Sequence, residues 1–353
     1  MTGLGDVIAA QLATWGGADL PLERELFGTT DSDAIAAEVD AFCTAHLGAP
    51  IARYRFFDSS SGSVHGVDLT DGRAVVVKGH RPDADLDHLR AALGVQRTLA
   101  AAGFPAPTPL AGPVAVGSGH LTAEQLLPQH RPADAHAPEV RHALAGGLAR
   151  FVALAAPQLD TMRRVEHPLH RLVDGLYPVP HSPRFDFAAT ARGAEWIDSL
   201  MRDARAGLAA GPGGPEVVAH GDWRVQNLSV RGDVIDAVYD WESVAATEET
   251  DALAASALTF GVDWSVAQPR RLSTPDEIVA YVCEYGDARG AALTGDERSR
   301  LALHLVASLA YGARCEHADA AGRPPKGDDS QRALLRTLGP GLLADGLDAL
   351  TPP

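Results

Sequence analysis

Four side chains in one stretch have the types that proton and phosphate chemistry needs. Asp222, Arg224 and Asn227 lie within His-Gly-Asp-Trp-Arg-Val-Gln-Asn (220–227), and Asp240 lies in Tyr-Asp-Trp-Glu (239–242). Carboxylate and amide oxygens are hard ligands of the kind Mg²⁺ takes, and Mg²⁺ fills the rest of its shell with water and phosphate oxygens. Asn227 and one of the two carboxylates, Asp222 or Asp240, meet that habit. The second carboxylate, left free beside the metal, can orient and deprotonate an alcohol. Arg224 can place positive charge on a phosphoryl group in transit. These are parts for phosphoryl transfer, in which catalysis is mostly positioning and charge neutralisation.

Three extended segments are needed to hold these groups. Val217-Val-Ala forms a short apolar strand that delivers His220, Gly221 and Asp222 into a loop. Leu228 to Val230 resumes an extended pattern, and Arg231-Gly-Asp233 is a turn in which glycine supplies the positive φ of a tight hairpin. Val234, Ile235, Val238 and Tyr239 are β-branched or aromatic, as strands prefer, and lead to Asp240. Two acids and one amide therefore converge at the mouth of one hairpin.

The rest of the chain divides by pattern. Residues 1–50 read as an N-terminal helical segment. Asp6 to Thr14 is amphipathic, and Thr30 with Asp33 begins a helix carrying Ile35, Val39 and Phe42, which Gly48-Ala-Pro50 stops. Residues 51–127 read as a small antiparallel sheet with one helix. Its strands are Arg53–Phe57, Val64–Leu69, Ala74–Lys78, Val114–Val116 and His120–Leu127, and the helix is Pro82–Ala102. Residues 128–353 open on a polar linker up to Pro138. Mainly helical patterns follow at Pro138–Ala156, Ala188–Ala209, Thr250–Phe260, Pro275–Ala288 and Gly295–Cys315, with a last helix beyond the 323–329 loop. A Pro- and His-rich loop spans 168–186, and Gly211-Pro-Gly-Gly-Pro215 breaks the chain before the hairpin. The fold class is α+β.

Composition narrows the partners. The 353 residues carry a net charge of −16, which argues against a nucleic-acid binder. An acidic surface concentrates cations and also simply aids solubility. Three separated cysteines, Cys43, Cys283 and Cys315, offer neither a disulfide framework nor a zinc spacing. The start lacks the pattern of a signal peptide, and no apolar run is long enough to span a bilayer. A cytoplasmic protein without a membrane partner, monomer or homodimer, is expected.

His220-Gly-Asp222, Asn227 and Asp240-Trp-Glu242, in this order and spacing, resemble the signature of the aminoglycoside phosphotransferase family and, more loosely, of protein kinases. The resemblance covers residues 51–320. It implies a bilobal protein-kinase-like fold with a small antiparallel-sheet N-lobe for nucleotide and a larger, mainly helical C-lobe. It makes Asp222 the base toward the acceptor hydroxyl, makes Asn227 and Asp240 ligands of Mg²⁺, and has His220 brace the loop. Asp251 resembles the family's downstream supporting acid, and is equally read as a helix N-terminal acid.

The same resemblance makes Lys78, at the end of Ala-Val-Val-Val-Lys, the lysine that holds nucleotide phosphates. Kinase-like enzymes pair that lysine with a glutamate on the next helix. Here the helix carries Gln96 and no glutamate, so Gln96 is a candidate partner of Lys78, with Asp85 and Asp87 as alternatives. A Gln96 bonded only to local backbone is equally open. The Asp58–Ser63 turn, with Ser61 in it, is placed over the phosphates, and the backbone of Glu124 to Leu126 is placed as the hinge that bonds adenine. The cofactors implied are ATP (or GTP) and Mg²⁺.

The implied reaction transfers the γ-phosphate to a hydroxyl of an aminoglycoside-like antibiotic, amino sugar or amino alcohol. Glu242, Glu248, Glu249, Asp263 and Glu284 would suit a cationic acceptor, or solvent. Trp223, Trp241 and Trp264 could stack on a sugar ring, or fill the core. The alternatives are a catalytically inactive nucleotide-binding protein of the same fold and a metal-dependent hydrolase.

Overall fold

A computed structural model describes residues 3–14, 21–59, 62–127, 133–165, 172–173, 176–180, 185–264, 266, 270–319 and 329–350. The chain separates into two compact units, Met1–Ala101 with Ala106–Pro128, and Ala102–Pro105 with Gln129–Pro353.

The first unit opens with three helices, α1 (Gly5–Thr14), α2 (Pro21–Phe27) and α3 (Ser32–Phe42), the last continued by a π-helical turn at Cys43–Leu47. Asp31, rather than Thr30, caps α3 by accepting the Ala34 N–H. Gly48 ends the turn at φ 79°. Strands β1 (Ile51–Ser59), β2 (Ser63–Leu69), β3 (Ala74–His80), β4 (Pro109–Val116) and β5 (Gly119–Gln125) form one antiparallel sheet in the order β1-β2-β3-β5-β4. Helix α4 (Leu86–Ala101) lies between β3 and β4 in the chain, and Asp85 caps its start through the N–H groups of Asp87 and His88.

Strand alternation explains the layers, because successive side chains point to opposite faces. Val67, Leu69, Val75, Val77, Leu121 and Ala123 turn toward Ile8, Leu12, Leu26, Ile35 and Val39 of the three helices and make one core. Helix α4 buries Leu89, Ala92, Val95, Gln96 and Leu99. The N-terminal helices are therefore one face's cover, which sequence patterning alone left as a separate segment.

A polar thread runs through this core. His65 is fully buried among Phe27, Tyr54 and Phe57. Its Nδ1 lies 3.4 Å from the Tyr54 hydroxyl and its Nε2 lies 3.1 Å from Ser63 Oγ. A neutral ring satisfies both, with Tyr54 donating to Nδ1 and Nε2–H donating to Ser63.

In the second unit the helices are α5 (Pro138–Ala155), α6 (Leu159–Met162), α7 (Glu195–Ala210), α8 (Glu249–Thr259), α9 (Pro275–Arg289), α10 (Gly295–Asp319) and α11 (Gln331–Asp345). Helix α10 packs against α7, α8 and α11 and buries Leu301, Leu305, Val306, Leu309 and Ala313. The end of the Gln331 side chain lies over Gly312, in the space a Cβ there would take. The short pair β6 (Leu172–Val173) and β7 (Tyr177–Pro178) falls in the Pro-rich loop, most of which, like linker residues 128–132 and loop residues 323–328, lies outside the described residues.

Two short ribbons hold the motif. β8 (Glu216–His220) pairs with β11 (Val244–Glu248), and β9 (Leu228–Arg231) pairs with β10 (Val234–Val238) through a two-residue turn with Gly232 at φ 65°. Strand β11 has no counterpart in the sequence reading. Among the described residues, no helix is long and apolar enough to cross a membrane.

Burial holds His65 down to about 3, from 6.5. The unfolded chain then binds a proton that the folded chain refuses, so this contribution is complete above pH 6.5 and is lost as pH falls toward 3. Its slope reaches about 1.4 kcal/mol per pH unit. Urea unfolding of wild type and His65→Gln across pH 7 to 4 is expected to show a wild-type advantage that shrinks on acidification; a constant difference would exclude a buried neutral imidazole.

Candidate functional site

The motif is assembled around His220, at the end of β8 and buried. Its Nε2 donates to the Tyr239 carbonyl at 2.7 Å. That fixes the tautomer and leaves Nδ1 as an acceptor, 3.3 Å from the Asp222 N–H and 3.1 Å from Ser243 Oγ. The Ser243 hydroxyl also reaches the Asp240 carbonyl at 2.8 Å. One imidazole thus ties the segment bearing Asp222 to the residues on both sides of Asp240.

The chain between is pinned throughout. Gly221 N–H donates to the Ser243 carbonyl, and a Cβ at Gly221 would lie 2.6 Å from that same oxygen, so only glycine fits. Trp223 is buried, with its indole N–H on the Leu144 carbonyl. Val225 N–H donates to Phe260 O, and Asn227 N–H to Arg224 O. Trp241 sends its indole N–H to Val238 O and stacks on Phe151 at 5.5 Å. Of the three tryptophans considered for a sugar ring, Trp223 and Trp241 are core. Trp264 is 51% exposed, with its backbone N–H on Gln226 Oε1 and the Arg271 guanidinium 5.3 Å from its ring.

The chemistry-bearing groups sit on this frame. The Asn227 amide nitrogen donates to both the Asp222 carbonyl and Asp222 Oδ2, at 2.9 and 2.8 Å. Arg224 Nη2 lies 2.9 Å from the same Oδ2. Asp222 is therefore aimed by two donors. Because Asn227 spends its N–H groups on Asp222, its amide oxygen is the atom left for a cation. Tyr239 N–H donates to the Asn227 carbonyl, which places Asn227 and Asp240 on adjoining segments. Asp240 has φ 62° and ψ 47° and is the one non-glycine residue with positive φ among those described. Such strain is kept where the surroundings over-determine it, often at functional sites. A carboxylate and an amide oxygen fit Mg²⁺, which takes few protein ligands.

In the first unit, Lys78 and Glu124 form an ion pair at 3.3 Å, both side chains about nine-tenths buried. Gln96 is fully buried, and its amide nitrogen donates to Glu124 Oε2 at 2.8 Å and to the Pro107 carbonyl at 2.9 Å. Its Oε1 has no hydrogen-bond partner, so the expected pairing of Gln96 with Lys78 is corrected: Glu124 stands between them. Asp85 caps α4 and Asp87 pairs with Arg90. In the hinge segment two backbone donors are already bonded. Gln125 N–H is spent on Thr108 O and Leu126 N–H on Ala74 O, and Glu124 contributes its side chain. Ser61 lies outside the described residues.

Most acids considered for a cationic acceptor are engaged. Glu248 meets Arg300 and Thr250, Glu249 meets Tyr285 and Arg289, and Glu284 meets Arg141 in a two-toothed pair. Burial opposes the charge on Glu248, but hydrogen bonds from Arg300 and Thr250 outweigh it and hold the carboxyl at about 2. Asp263 is buried. Asp251 accepts from Thr247 and lies 3.2 Å from His304, bracing β11, α8 and α10.

Replacing His220 with Ala removes a bond to Tyr239 and the acceptor for Asp222 N–H. A loss of about 2–4 kcal/mol is expected in urea unfolding. A value under about 0.5 kcal/mol would show that the loop holds itself without the imidazole.

The sequence model of the phosphotransferase enzyme family matches residues 60–248. No curated protein sequence matches the chain. Solved structures of similar fold include the amicoumacin kinase hAmiN in complex with AMP-PNP, Ca²⁺ and Ami, at 10% identity and TM-score 0.59, covering 89% of this chain and 96% of that one. Another is a Plasmodium vivax ethanolamine kinase, at 11% identity and TM-score 0.56, covering 88% and 90%. A third is the spectinomycin phosphotransferase APH(9)-Ia with ADP and spectinomycin, at 12% identity and TM-score 0.55, covering 89% and 97%. At these identities the likeness is one of fold, and that fold is kinase-like.

Proposed function

The chain belongs to the phosphotransferase enzyme family, and we propose that it moves the γ-phosphate of ATP, or GTP, to a hydroxyl of a small molecule. The observation that carries this reading is the aiming of Asp222 Oδ2 by Asn227 and Arg224 at 2.8 and 2.9 Å. A structural carboxylate needs no such convergence with an adjoining strained acid.

In this reading Asp222 accepts the acceptor's hydroxyl proton as the oxygen attacks phosphorus. Arg224 holds Asp222 in place and supplies positive charge to the phosphoryl group. The Asn227 amide oxygen and the Asp240 carboxylate would hold Mg²⁺, which neutralises phosphate charge when bound. Asn227 links the two tasks, since its nitrogen orients the base while its oxygen is kept for the cation. Lys78 binds nucleotide phosphate, with Glu124 and Gln96 beside it. Ser61 is assigned to the phosphates, and the backbone of Glu124 to Leu126, through groups other than the bonded N–H of Gln125 and Leu126, to the adenine.

The acceptor class proposed is an aminoglycoside-like antibiotic, amino sugar or amino alcohol. Structures of like fold, an amicoumacin kinase, a spectinomycin phosphotransferase and an ethanolamine kinase, motivate it.

ATP consumption screened over aminoglycosides, peptide antibiotics, amino sugars and amino alcohols is expected to give turnover with one class. Asp222→Asn should then cut kcat at least about 10³-fold while nucleotide affinity changes little. Turnover retained in that variant would remove Asp222 as the base. Asp240→Asn should raise the Mg²⁺ concentration needed for half-maximal nucleotide binding; an unchanged requirement would take Asp240 out of the metal site.

A further inference from the structure

The kinase-like pattern draws the lysine's counter-ion, a glutamate, from the helix that follows it, and helix α4 carries no glutamate. The sheet register supplies one by another route. In the β3–β5 ladder Val76 stands opposite Glu124 and Lys78 opposite Thr122. Lys78 is two residues beyond Val76, so Lys78 and Glu124 project from the same face as diagonal cross-strand neighbours, roughly 7–8 Å apart at Cβ and within reach of long side chains. Their charged ends meet at 3.3 Å.

The carboxylate then divides its oxygens. Oε1 faces Lys78 and Oε2 accepts from Gln96, whose second N–H is anchored on the Pro107 carbonyl. A buried carboxylate beside one flexible lysine would swing. Tied to an amide that is itself tied to backbone, it has one orientation. A lysine has four rotatable bonds to fix, and an ionised partner in a dry setting fixes them more firmly than a neutral one.

We propose that Glu124 is the positioning residue for Lys78, replacing the helix glutamate, and that Gln96 serves by holding Glu124. This rests on the kinase reading above. Glu124 acts on the nucleotide's phosphates only through the lysine. Gln96 is then an orienting amide rather than a nucleotide contact, and the helix keeps a polar residue inside its apolar face for that reason.

The test is calorimetric titration of the full chain with Mg²⁺·AMP-PNP and, separately, with adenosine. Glu124→Gln keeps the shape and removes the charge. It is expected to weaken Mg²⁺·AMP-PNP about tenfold and to leave adenosine within about twofold. In a Lys78→Met background the same change is expected to cost less than about twofold, since a residue acting through the lysine has nothing left to position. An unchanged AMP-PNP affinity, an equal loss for adenosine, or a full tenfold loss in both backgrounds would overturn the assignment. If Glu124→Gln does not fold, Glu124→Asp goes through the same cycle under the same criteria. Wild type that fails to bind Mg²⁺·AMP-PNP would overturn the kinase reading, and this assignment with it. Wild type that binds while the variant is unaffected would overturn this assignment alone.

Discussion

The bond from His220 Nε2 to the Tyr239 carbonyl governs the second unit's motif. Two ribbons that are not hydrogen-bonded to each other as one sheet, β8–β11 and β9–β10, must present their ends together. Backbone pairing alone cannot do this, because each ribbon is satisfied internally. A side chain with a donor on one edge and an acceptor on the other can. With Nε2 committed as donor to Tyr239, Nδ1 is left to accept the Asp222 N–H, so one tautomer serves both ribbons. The aromatic packing of Phe151, Trp223 and Trp241 around the ring keeps water from competing for those bonds.

Charge in the second unit is arranged for architecture as much as for ligands. The net charge of −16 suggests a surplus of free carboxylates. Yet Glu248, Glu249, Glu277, Glu284 and Glu297 each meet an arginine across helix boundaries. Glu277 also completes the capping box of α9 with Thr274. Such partly buried pairs fix the helices' relative placement, because a lost partner would leave the other charge uncompensated. They also subtract from the field available to a cation.

Some of this was readable from residues alone and some was not. The hairpin, its turn and the order of Asp222, Asn227 and Asp240 follow from local patterns, and so does Lys78 at a strand's end. The start of α3 shifted from Thr30 to Asp31 because adjacent short polar residues compete for one cap. Helix α2 is too short to show a period, and β11 is recognisable only through its pairing with β8. The role of Glu124 was hidden for a deeper reason. Cross-strand diagonals depend on register, and no property of Thr-Ala-Glu-Gln announces which residue of a distant strand it will face. The indole of Trp223 reaches an acceptor 79 residues away, Leu144 O, whereas that of Trp241 bonds locally to Val238 O.

A lysine and its acid borne by neighbouring strands of one sheet differ in kind from a pair split between sheet and helix. A helix can rotate or slide against a sheet, and kinases use that freedom as a switch by breaking and making the pair. Lys78 and Glu124 are joined through the β3–β5 backbone ladder. No rigid-body motion of α4 separates them while that ladder stands, and the only movable member is Gln96. The arrangement gives up a control point and gains permanence, which suits an enzyme governed by the supply of its substrates rather than by a signal.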